Sequence, residues 1–304
     1  MRGLGIDALG LSPQCRPLRL LDSRLRGNDG VWVKNKGNRH AAPDDPRVTI
    51  AFIGDIHQQW HLIEAGLATL DTKLEAAVLL GDMQCDRPLD ALAAPLLSRG
   101  VAVFWIFGNH DNDGGPEMWA NLTDPARNRL TAPGALHGRV AEIGGVRVAG
   151  LGGTFRPRVW EPPEPPRLHA RAELAADLAR MAGHWPEAHL AALAHSLGVA
   201  AIWPEDVARL SAMRADVLVA HEAPGSHPMG SAAIDELARR MGARLVVHGH
   251  HHVNYRAVAP DRLEVLGVAS AWGVLRDGRV LWPGERPRPL GRLAPGWRLI
   301  QTPD

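Results

Sequence analysis

Cysteine is almost missing from this chain: Cys15 and Cys85 are the two in 304 residues. They form no zinc-binding pattern and no disulfide framework, and such scarcity fits a reducing compartment. A surplus of one charge is missing too. The 34 Lys and Arg are balanced by 33 Asp and Glu, so there is no bulk electrostatic case for nucleic acid or a membrane surface. No apolar run approaches the roughly 20 residues of a membrane-spanning helix. The N-terminus has no continuous apolar core of a secretory signal. Together these absences predict a soluble cytoplasmic protein with no membrane or nucleic-acid partner. Aromatic residues are few apart from ten Trp, while 32 Gly and 24 Pro suit a loop-rich α/β fold.

What the chain does have is histidine, concentrated in Arg244-Leu-Val-Val-His-Gly-His-His-His252. Leu245 to Val247 read as a buried strand, and Gly249 allows a sharp exit from it. His250 and His252 then stand two apart, able to face one point. Partners follow the ends of earlier apolar runs. Val48–Ile53 ends in Gly54-Asp55-Ile56-His57, Ala76–Leu80 in Gly81-Asp82, and Val101–Phe107 in Gly108-Asn109-His110-Asp111. Asp216–Ala220 ends in His221-Glu222-Ala223-Pro224. In open α/β sheets ligands bind just beyond the carboxyl ends of the strands, so the five tips can converge on one place.

Residues 1–45 show no sustained helical or strand period, and Asp22 to Asp29 resembles a translated intergenic repeat. This segment is expected to be a disordered or spurious leader. Residues 46–304 are expected to form the functional domain. Apolar spacing predicts helices over Gln59–Leu70 and Pro88–Arg99, the second stopped by Gly100, with a short helical piece near Met118–Leu122. A hairpin is expected around Gly144-Gly145, and a helix over Ser231–Met241 with Ser231 as N-cap. Closing strands are expected at Leu263–Val268 and on either side of Asp277-Gly278. Residues 154–215 break the rhythm with Pro- and Arg-rich chain and two or three helices interrupted by Pro186 and Pro204. They read either as a cap over the strand tips or as a helical layer on the sheet face.

Asp55-x-His57, Gly81-Asp82, Gly108-Asn109-His110-Asp111, His221 and Gly249-His250-x-His252 resemble, in order, the motifs of the calcineurin-like metallophosphoesterase superfamily. The resemblance covers about residues 48–270. It implies a layered α-β-β-α sandwich, here carrying the helical insertion, and a dinuclear centre. By resemblance Asp55, His57, Asp82 and His252 hold one ion, and Asp82, Asn109, His221 and His250 the other. It further implies hydrolysis of phosphate esters by hydroxide held between the ions. His110 would assist the leaving group or the transition state, and Asp111 could fix its ring nitrogen.

The residue types suit that chemistry independently. A nitrogen and oxygen set without thiolate fits Mn, Fe, Ni or Zn with open positions, manganese being favoured, and Asp82 is placed to bridge two divalent ions. Arg156, Arg158 and His227 are candidate substrate contacts. His248 reads as core or as support for the ligands, His251 as exposed, and Cys85 as a bystander. A phosphodiester is the preferred substrate. The protein-phosphatase branch usually reads Gly-Asp-x-Val-Asp-Arg-Gly, whereas Asp86-Arg87-Pro88 comes one residue late with Pro in place of Gly. The alternatives are a phosphoprotein or small-molecule phosphomonoesterase of the same superfamily and, in another class, a non-catalytic metal-binding scaffold.

Overall fold

Strands buried on both faces must be apolar at every position, and the short runs that precede the motifs have this character. In the computed structural model, which describes residues 49–302, they form the strands β1 (Ile50–Ile53), β2 (Ala76–Leu79) and β3 (Ala102–Trp105). Next come β4 (Arg139–Ile143), β5 (Val146–Leu151), β6 (Val217–Ala220) and β7 (Leu245–His248). β8 (Tyr255–Val258), β9 (Glu264–Gly267), β10 (Gly273–Val274), β11 (Val280–Trp282) and β12 (Arg298–Gln301) complete the set. The leader expected at 1–45 lies outside the described residues.

Two sheets result, one in the order β11-β10-β1-β2-β3 and the other β12-β8-β9-β7-β6-β5-β4. β1, β2 and β3 run parallel, as do β5, β6, β7 and β9, so each sheet sends several carboxyl ends the same way. Strand alternation sorts the side chains into layers. Phe52, Val78 and Phe104 meet Val148, Val219, Val247 and Leu266 between the sheets. Ile53, Leu79 and Trp105 point the other way, into a cluster with helices α1 (Trp60–Ala68), α2 (Leu89–Leu92), α3 (Ala94–Leu97) and α4 (Gly115–Thr123). Burying each large aliphatic side chain contributes about 1.5–3 kcal/mol. The expected helix–sheet–sheet–helix architecture is what forms.

Residues 154–215 supply α5 (Leu174–Ala179), α6 (Glu187–Ala200) and α7 (Pro204–Ser211), and α8 (Ala232–Met241) follows β6. The insertion divides. Leu210 of α7 joins Leu218, Val246 and α8 on the outer sheet face. α5 and α6 close a separate small core around Val159, Leu168, Leu197 and Trp203. Arg171 of the insertion donates to Asp206 at 2.7 Å and 3.0 Å and to Glu205 at 2.7 Å, while Asp206 also faces His137 Nε2 at 3.4 Å.

Local expectations mostly hold, with reasons for the exceptions. Ser231 Oγ accepts the Ala233 N–H at 3.3 Å as an N-cap should, and Gly242 closes the same helix in the left-handed region. Helix Pro88–Arg99 instead splits into α2 and α3, because Pro95 has no N–H to give the preceding turn. β8 and β12 were not expected. β8 follows the histidine turn at once, and β12 is fully exposed, so neither carries a strong apolar signature.

Candidate metal centre

Each motif residue sits in a tight turn just past a strand end, and the backbone there is forced. Among the described residues eight non-glycine residues have positive φ, and six of them are His57, Gln58, Asp82, Gln84, His250 and His252. Such conformations cost about 1–3 kcal/mol each and persist where the surroundings dictate them. Two motif glycines are required sterically. Gly81 adopts φ +101°, and a Cβ on Gly108 would lie 2.1 Å from Asp82 Oδ1.

The turns bring two donor groups together. Asp55, His57 and His252 offer ligand atoms within 4.8 Å of one another, and so do Asp82, His221 and His250. Asp82 lies between them. Its Oδ2 is 3.3 Å from His221 Nε2 and 3.9 Å from His57 Nε2, and it is buried without a hydrogen bond. A buried carboxylate oxygen left unpaired is costly unless a cation completes it. His57 Nε2 also faces His252 Nε2 at 3.1 Å, a pairing that a shared metal would satisfy. Asn109 Oδ1 stands 3.1 Å from His221 Nε2 and so adds an oxygen to the second group. The residues present fit a pair of divalent cations.

Neighbouring groups select which ring nitrogen faces inward. His221 Nδ1–H donates to the Leu80 carbonyl at 2.8 Å, leaving Nε2 for the centre. His57 Nδ1–H donates to Gln84 Oε1 at 3.0 Å with the same effect. Asp55 accepts the His250 N–H on both oxygens, at 3.0 and 2.9 Å, and Asp82 Oδ1 accepts the His110 N–H at 2.7 Å.

Burial drives the electrostatics. It pushes Asp55 up to about 6, against the opposing pull of His221. Burial is the largest influence on Asp82 and would raise it, but the His221 charge and hydrogen bond, together with the His110 N–H, outweigh it and hold Asp82 well below the usual carboxylate range. His221 is the counterpart: burial disfavours its charge, yet Asp82 and Asp55 prevail and hold it at about 10. Desolvation lowers His250 to about 3 and His252 to about 4, so both rings are neutral donors near pH 7. The carboxylates therefore draw positive charge into the pocket, a proton on His221 or a metal in its place.

Residues 48–254 match the family model for calcineurin-like phosphoesterases. The chain belongs to that family. An uncharacterized protein of Haemophilus influenzae is 34% identical over 232 residues, 73% of this chain and 92% of that protein. Among solved structures, TT1561 of Thermus thermophilus is 16% identical, with 77% of this chain and 97% of that chain covered at a TM-score of 0.49. A Saccharomyces cerevisiae protein serine/threonine phosphatase is 14% identical, with 86% and 81% covered at a TM-score of 0.36. Those two scores are too low to carry any inference about substrate.

As a calcineurin-like phosphoesterase the protein is a metal-dependent phosphoester hydrolase, and the remaining expected site residues can be placed around its donor groups. His110 meets the edge of His57 with ring centroids 5.6 Å apart. The expected pairing of His110 with Asp111 does not form. Asp111 is fully buried and accepts the N–H groups of Gly108, Asp82 and Gln84 at 2.8, 2.9 and 2.7 Å, which holds the turns together. His110 Nδ1 instead faces Asp113 Oδ2 at 2.6 Å. Arg158 Nε donates to Asp177 at 2.8 Å, which ties that edge of its guanidinium to the insertion. Arg156 makes no ion pair among the described residues and acts electrostatically on Glu222.

His251 is not the exposed residue expected. It is half-buried, and its ring stacks on His227 at 4.0 Å and 9°. With Glu222 and His250 it makes a third donor group within 4.8 Å. His227 is buried beside this group, its Nδ1 accepting the Met229 N–H at 3.2 Å. His248 belongs to the core, linked to Tyr255 and through it to Ser226 at 2.8 Å each. Cys85 is buried and its thiol is pushed up by that burial, which makes it unreactive. Gln84, Asp113 and Glu222 had no recognisable signal in sequence, since each acts through a partner brought by another loop or turn. Among the described residues no helix is long and apolar enough to cross a membrane.

Proposed function

We propose that this protein hydrolyses phosphodiesters with two divalent cations, manganese being favoured. In this reading Asp55, His57, Asp82 and His252 hold one ion, and Asp82, Asn109, His221 and His250 the other. The observation that carries it is the buried Asp82 Oδ2, which has no hydrogen bond and lies between His57 Nε2 and His221 Nε2. Bound there, two dications supply Lewis acidity and an activated water for displacement at phosphorus.

The chain's own residues do the rest. Gln84 and the Leu80 carbonyl orient the rings of His57 and His221. His110, held at Nδ1 by Asp113, presents its other nitrogen to the leaving group and supplies a proton or hydrogen bond there. Arg156 and His227 flank the centre as substrate contacts, and α5 with α6 forms a cap over the tips within a single domain spanning 46–304. The preference for a diester is supported by Arg87. It lines a cavity of about 370 Å³ with Gln58, Trp60, His61 and Glu64, none of which belongs to the donor groups. Its place one residue late in the motif weakens a phosphatase-type role for that arginine. The protein is read as cytoplasmic.

The test is hydrolysis of bis-p-nitrophenyl phosphate and p-nitrophenyl phosphate by metal-stripped protein reloaded with Mn²⁺, with Asn109→Ala as control. Metal-dependent diester turnover lost in the variant is the expected outcome. Preference for the monoester would move the assignment to a phosphomonoesterase. Failure to bind metal would remove the catalytic reading altogether.

A further inference from the structure

The third donor group shares His250 with the two-ion centre, while Glu222 and His251 belong to it alone. We propose that Glu222, His250 and His251 form an outer cation site through which the inner group of Asp82, His221 and His250 is loaded. This rests on reading the inner group as a metal site.

Strand register explains why donors come in adjacent pairs here. β6 and β7 are parallel neighbours with Ala220 opposite His248, so the tips bearing His221-Glu222 and His250-His251 leave the sheet side by side. On the β6 tip His221 belongs to the inner group and Glu222 to the outer, and on the β7 tip His250 serves both while His251 is outer. Passing from one to the other exchanges Glu222 and His251 for Asp82 and His221, with one imidazole retained throughout. Two imidazoles and a carboxylate without thiolate suit a borderline first-row dication with open positions.

Exposure gives the direction. The donors that differ between the groups are 1% and 0% exposed at Asp82 and His221, against 8% at Glu222 and a half-buried His251, so the outer group lies nearer solvent. Each group also holds a buried polar atom without a hydrogen bond, His251 Nε2 outside and Asp82 Oδ2 inside. The outer donors are pre-set. His251 is stacked on His227, and Glu222 accepts the Phe155 and Ala223 N–H groups at 3.1 and 3.0 Å, one on each oxygen. On this reading the outer position is one of passage, and it empties as the inner one fills.

The experiment is uptake of Zn²⁺ by the metal-stripped full chain, delivered from a chromophoric chelator in stopped flow, with final metal content by elemental analysis. His251→Ala is expected to slow uptake several-fold, with two ions per chain still bound at equilibrium. Glu222→Gln should behave alike, while Asp86→Asn, which removes an exposed carboxylate, should leave the rate unchanged. An unchanged rate in both outer variants would overturn the proposal. So would a third ion retained by the wild type, or one ion lost from the variants at equilibrium. A wild type that binds no ion would instead overturn the two-ion reading itself.

Discussion

An imidazole has two nitrogens on opposite edges, and the second partner decides which one is offered. At His57 that partner is Gln84 Oε1, and at His110 it is Asp113 Oδ2. Gln84→Leu should therefore weaken metal binding by about 10–100-fold, read by titration with Mn²⁺, with the fold unchanged by circular dichroism. Asp113→Asn should lower kcat more for diesters with poor leaving groups than for bis-p-nitrophenyl phosphate. A group that helps expel the leaving oxygen matters most when that oxygen leaves reluctantly. Equal losses on both substrates would show that Asp113 merely shapes the loop.

Single helices carry charge relations that set the pH response. Asp235 in α8 is pushed up to about 6 by burial, although the Gly225 N–H opposes this. Its folded value lies above the unfolded value of about 3.9, so its contribution is fully present below that value and is lost as pH rises through about 6. Asp235→Asn should remove up to about 3 kcal/mol of the stability loss between pH 4 and 7, measured by urea unfolding at both ends. Asp206 in α7 behaves oppositely. Burial would raise it, but His137 and Arg171 hold it below the usual carboxylate range. Its contribution is present above the unfolded value and is lost as pH falls towards the folded one. Asp206→Asn should cost about 1.5–3 kcal/mol at pH 7, because charged hydrogen bonds from Arg171 are lost. Comparison of urea midpoints with the wild type checks this.

Over the whole molecule, the strained turns and buried donors make cation binding and folding one equilibrium. An ion that binds the folded chain alone adds about 4 kcal/mol at a thousand times its dissociation constant. Chelation should therefore lower the Tm, and Mn²⁺ should restore it in the wild type but not in Asp82→Asn, as read by calorimetry. Much of this architecture is legible in the chain because it is local. An apolar run ending in Gly-Asp or Gly-Asn-His makes a buried strand with a donor at its tip, and parallel strands deliver such tips to one edge. The ordered motifs therefore determine the fold and the edge at which the motif residues gather. Tertiary structure alone decided the partnerships: Asp113 instead of Asp111 on His110, Asp177 on Arg158, Gln84 behind His57, and Glu222 beside His251. Each of these depends on where a side chain is aimed or which loop arrives beside it, and hydrogen bonds only a few ångströms long are not encoded in the spacing of residues along the chain.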